Sequence, residues 1–142
     1  MISSYRFLVH ETFVRQAKDF LDSLPKSIRP KVLKKLKTQF QKSIGNPVDC
    51  GSRCMYDIRG PLAGKIFRFH VGGGRGYRFI YMVMQEHRLV VPVFVFPDAK
   101  TIAKDSRGYY EKYPWVEYAN EFYKDVSEGK LEKFKFWTGE DL

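Results

Sequence analysis

An α+β fold is predicted by three features of the 142-residue chain. Two amphipathic helical patterns follow one another near the N-terminus. Three β-rich runs joined by short turns then occupy residues 56–96, and a single helical stripe lies in the tail. The expected architecture is an N-terminal strand and an αα-hairpin packed on an antiparallel β-meander, followed by a C-terminal helical extension.

Taken in order, Ser4–Val9 (SYRFLV) reads as a short strand. Phe13, Ala17, Phe20, Leu21 and Leu24 then recur at helical spacing with charged residues between them, and Pro25 ends the pattern. A second helix is expected from about Ser27 to Ile44, with Ile28, Val32, Leu33, Leu36, Phe40 and Ile44 in one arc. Pro30 falls in its first turn, where a missing N–H costs little, and Gly45-Asn46-Pro47 is a stop signal. Strands are expected at about 54–59, 65–71, 77–84 and 89–96. The intervening turns at 72–76 and 85–88 have hairpin lengths, so these strands pair antiparallel. Pro92 points to an edge strand, since proline within a sheet is tolerated at an edge or a bulge. In the tail, Trp115, Tyr118, Ala119, Phe122, Tyr123 and Val126 form the helical stripe, with Gly129 as its C-terminal cap.

Composition narrows the function classes. Hydrophobic content of 44% and aromatic content of 16% describe a chain able to bury a core. The formal net charge is +9, which favours a polyanionic partner. Residues 1–98 hold 17 Lys/Arg against 7 Asp/Glu, and residues 99–142 hold 8 against 9. A boundary is expected there, with 1–98 as the core and 99–142 as a helical extension packing on it. No apolar run approaches a membrane span, and Arg6, His10, Glu11 and Arg15 interrupt any secretory leader, so a cytoplasmic protein without membrane contact is expected. Cys50 and Cys54 (CxxxC) and three scattered histidines do not make a zinc ligand set, and the acidic residues of 1–98 are dispersed. No metal and no cofactor are expected.

Strand alternation assigns faces. Phe67, Phe69 and Val71 fall on one side with Tyr77, Phe79, Tyr81 and Val83, the side expected beneath the helical hairpin. Arg68, His70 and Arg78 then converge on the other side, among Ile66, Ile80, Met82 and Met84. Cations held on a rigid sheet can grip phosphates and stabilise an anionic transition state. His70 is the member of this cluster that titrates near neutral pH. The apolar neighbours require a cover, which the tail helix or a partner protein would supply. The GGGRG turn lacks the GK[ST] of a phosphate-binding loop and reads as a hairpin tip, with Arg75 placed to reach a phosphate. Lys34, Lys35 and Lys37 on the second helix form either a nucleic-acid face or a solvated one.

Several segments resemble the RelE/ParE superfamily of toxins from toxin–antitoxin pairs. FVRQAKDFLDSLP resembles its first helix, LKKLKTQFQKSIGNP its second, MYDIRGPLAGKIFRFHVGGGRGYRFIYMV its central signature, and LVVPVFVF its last strand. The likeness covers about residues 4–100. It implies a RelE-like fold and a ribosome-dependent, metal-independent mRNA endonuclease. In that chemistry the 2′-OH attacks the adjacent phosphate and leaves a 2′,3′-cyclic phosphate and a 5′-OH. The resemblance implies charge stabilisation for Arg78 and a basic partner at Arg68, or at Lys65 if the register slips by one. It implies an acid or base at His70. Lys100 or Lys104 would supply the basic residue after the last strand, and Tyr109 or Tyr110 stands nearest the family's aromatic acid/base. Implied partners are a cognate antitoxin, the ribosome and mRNA, in a homodimer or a toxin–antitoxin hetero-oligomer. The alternative on the same scaffold is a non-catalytic binding protein, such as a ParE-like inhibitor of DNA gyrase.

Overall fold

A computed structural model describes residues 5–45, 52–53, 63–71, 75–97 and 115–137. Strand β1 (Arg6–His10) runs directly into helix α1 (Glu11–Ser23), and helix α2 (Arg29–Gly45) follows after a short turn. Strands β2 (Ser52–Arg53), β3 (Ala63–Val71), β4 (Arg75–Met84) and β5 (Leu89–Pro97) come next. Helix α3 (Trp115–Ser127) and strand β6 (Phe134–Trp137) close the described chain.

The expected α+β architecture of strand, helical hairpin and antiparallel meander is present. The six strands form one sheet in the order β2-β3-β4-β5-β1-β6. The meander pairs antiparallel, β1 lies parallel to β5, and β6 pairs antiparallel with β1. The tail therefore adds a strand as well as a helix. FKFW is too short for period-two alternation to mark it against the charged residues around it.

Pro92 does not make β5 an outer strand of the sheet. β5 lies inside the sheet, and the register shifts between Ile80 and Tyr81, whose partners are Phe94 and Pro92. Val93 is the extra residue of a bulge, which accommodates the missing proline N–H within an interior strand. The expected strand at 54–59, the cysteines and most of the glycine turn (72–74) lie outside the described residues.

The C-terminal ends of α1 and α3 each have a local cause. Arg29 donates from Nη2 to the carbonyls of Asp22 (3.1 Å) and Leu24 (3.3 Å), placing a cation on the last carbonyls of α1. At the end of α3, Gly129 takes φ +72°. Its N–H bonds the Val126 carbonyl (3.1 Å), and the Lys130 N–H bonds that of Asp125 (2.8 Å). These are the two bonds of a Schellman cap, as the sequence predicts.

Both faces of the sheet are covered, which explains why β4 and β5 are buried almost throughout. Under α1 and α2, Phe40 packs edge-on to Phe7 (5.3 Å between centroids) and Phe79 (4.9 Å) and lies 5.2 Å from Trp137. Phe20 meets Tyr77 on the same side. On the other face, α3 brings Tyr118 to Phe94 (5.5 Å) and Phe122 to His10 (4.6 Å). The tail contributes to both sides, since Trp137 sits in the helix-side core.

One polar residue secures α1. Among the described residues β1 pairs with β5 at Leu89 and Val90, so further along β5 a backbone edge needs other partners. Gln16 supplies them. Its side-chain amide donates to the Val95 carbonyl (2.6 Å), and its oxygen accepts from the Val95 N–H (3.0 Å).

Candidate functional site

The register of β3 against β4 brings the predicted cations together at the backbone level. Arg68 is the direct partner of Arg78, and His70 that of Gly76. Arg68 and His70 stand at strand positions of the same parity as Arg78. Lys65 is paired with the fully buried Tyr81 and stands at the opposite parity. No register slip occurs along this pair, so Arg68, and not Lys65, shares the strand parity of Arg78.

Arg78 is half-buried, and its Nε atom is buried with no hydrogen-bond partner. Its neighbours on that face are apolar: Phe96 lies opposite it on β5, and Ile80 follows on β4, paired with Phe94. A guanidinium N–H in such surroundings costs free energy until an acceptor reaches it. A bound anion would relieve that cost.

The other predicted residues do not all join this cluster. Arg75 stands at the hairpin end of β4, half-buried, at the parity of Tyr77 and Phe79. Lys34 and Lys35 are exposed and Lys37 half-buried on α2, whose Val32, Leu36 and Phe40 pack against the opposite side of the sheet. The sheet thus separates these lysines from Arg78, and a single phosphodiester cannot touch both sets. Lys100, Lys104, Tyr109 and Tyr110 lie outside the described residues.

A second constellation escaped sequence reasoning. His10, Glu121 and Asp125 place ligand-type atoms within 4.8 Å of one another. The i, i+4 spacing of the two acids on α3 is visible in the sequence, but nothing there connects them to residue 10. His10 caps α1, its Nδ1 accepting from the Thr12 N–H at 3.0 Å. Its Nε2 lies 3.6 Å from Asp125 Oδ2 and has no hydrogen-bond partner. Burial pushes the imidazole below its ordinary value of 6.5. Glu121, Asp125 and Glu11 oppose that shift, and Lys133 adds to it.

No family model and no curated protein matches the chain. Among solved structures it is similar to the E. coli toxin RelE, in the free state of a double arginine-to-alanine mutant. The two share 19% identity over 73% of this chain and 96% of that chain, with a TM-score of 0.39. No helix among the described residues is long and apolar enough to cross a membrane.

Proposed function

We propose that the chain is the toxin of a toxin–antitoxin pair and cleaves mRNA on the ribosome without a metal. The observation that carries this reading is the Arg68–Arg78 register pair on the central strands, with the Arg78 Nε buried and unpartnered. The sequence signature around GYRFIY points the same way.

In the proposed reaction the RNA 2′-oxygen attacks the neighbouring phosphorus. The P–O2′ bond forms and the P–O5′ bond breaks, giving a 2′,3′-cyclic phosphate and a 5′-OH. The 2′-OH proton passes to a base, and an acid protonates the departing 5′-oxygen. His70 is the candidate for one of these steps. Arg78 and Arg68 act on the non-bridging oxygens, where negative charge grows in the pentavalent transition state. A planar guanidinium presents paired N–H donors to two such oxygens, and apolar walls such as Phe96 strengthen each contact. Arg75, Lys34, Lys35, Lys37, Lys100 and Lys104 are proposed contacts to more distant phosphates of mRNA or ribosomal RNA. A cognate antitoxin is the proposed neutralising partner, and the cytoplasm the proposed compartment.

The test is inducible expression with mapping of mRNA 5′ ends, comparing wild type with Arg78→Ala. Growth arrest and new 5′-OH ends within translated codons are expected, both lost in the variant. Growth arrest with intact mRNA and inhibited gyrase supercoiling would select the non-catalytic alternative.

A further inference from the structure

The His10 constellation holds together parts of the chain that are distant in sequence. A backbone N–H is always a donor, so Nδ1, which accepts from Thr12, is the bare nitrogen of the ring. The ring proton therefore sits on Nε2 and faces the Asp125 carboxylate. The imidazole is 1% exposed, stacked on Phe122 at 4.6 Å and edge-on to Phe134 at 4.8 Å. One residue further, the Glu11 N–H bonds the Lys133 carbonyl at 3.0 Å. The start of α1, helix α3 and the turn before β6 thus meet at one neutral ring.

This arrangement disfavours a metal. Coordination through Nε2 requires the ring proton on Nδ1, where it would confront the Thr12 N–H. It also responds to acid. A second ring proton on Nδ1 would set two donors against each other across the 3.0 Å cap and place a full charge between two phenyl rings. The charged groups facing the ring are Glu11 from α1, Glu121 and Asp125 from α3, and Lys133 from the turn.

We propose that His10 is an acid-sensitive latch that holds α3 on the sheet and releases it when the ring is protonated. Release uncovers Phe94 and its neighbours beside Arg78, so access to that face becomes dependent on pH. The latch stands whether or not that face cleaves RNA. Because the folded ring binds its proton less readily than the unfolded chain does, the latch is complete above about pH 6.5 and is lost as pH falls through the lowered folded value.

Hydrogen exchange read by mass spectrometry between pH 7.5 and 5.0, corrected for intrinsic rates, tests the proposal. Peptides from α3 and β6 should lose protection relative to β4 by about tenfold per pH unit in the transition, the response of one linked proton. His10→Asn keeps a capping acceptor but cannot titrate, and its profile should be flat. Asp125→Asn removes an anion that favours the charged ring, so the loss should begin at the same pH and extend further to lower pH. A flat wild-type profile, a slope retained in His10→Asn, or a shift to higher pH in Asp125→Asn would overturn the latch. So would zinc-dependent protection of α3 that disappears in His10→Asn. Should His10→Asn fail to fold, the wild-type and Asp125→Asn profiles decide the matter.

Discussion

Gln16 and His10 are both buried polar residues near the start of the helical hairpin, yet they serve opposite faces of the sheet and are satisfied to different degrees. Under α1 and α2, Gln16 uses both ends of its amide on Val95. Under α3, His10 uses one nitrogen for the cap and leaves the other facing a carboxylate beyond hydrogen-bond distance. Arg78, on that same second face, has a buried Nε with no partner. A neutral group matched at both ends contributes stability and little else. An ionisable group matched at one end stays responsive to a proton or an anion. The first face thus carries a fully matched polar group, and the second carries two that are matched incompletely.

The largest expected effect lies on the first face. Phe40→Ala removes the ring shared by Phe7, Phe13, Phe79 and Trp137. It should lower unfolding stability by about 3–5 kcal/mol, measured by urea denaturation. A loss below about 1 kcal/mol would mean that this face is not the main core.

Next comes Arg78→Ala, which should reduce RNA cleavage by about 10²–10³-fold, as when one transition-state donor is removed. Its folded stability should stay level or rise slightly, because the buried Nε that is removed has no hydrogen-bond partner to lose. A large drop in stability would instead make Arg78 a structural residue.

Gln16→Ala should cost about 1–3 kcal/mol by leaving the Val95 backbone unpaired, with no dependence on pH. Gly129→Ala should cost about 1–2 kcal/mol, since a side chain there meets no neighbour within 4 Å and the penalty is purely that of φ +72°. The smallest expected effect is the most diagnostic one. Wild-type stability should fall as pH drops below about 6.5, and the slope should vanish in His10→Asn. If Gln16→Ala altered that slope, the distinction between the two faces would be lost.

Much of the fold is legible in the residues themselves. Helical spacing places α1, α2 and α3 to within a few residues, and Gly129 is readable as a cap because only glycine adopts that φ without strain. The alternation in β3 and β4 puts Phe79 and Tyr81 with the hairpin and Arg78 on the other side. Pro92 misleads, because one proline is compatible with both an edge and a bulge, and only the neighbouring strand distinguishes them. The lysines of α2 are readable as basic, and the face assignment already sets the hairpin that carries them opposite Arg78.

Local periodicity, turn chemistry and charge therefore determined the helices, the strands of the meander, their faces and the arginine pair, since each depends on residues close in sequence or on strands joined by a short hairpin. Tertiary structure alone decided that β1 lies beside β5 and that β6 completes the sheet. It alone decided that His10 meets Glu121 and Asp125. Those encounters join residues far apart along the chain, and what brings them together is the burial of both sheet faces, a global condition that no local pattern encodes.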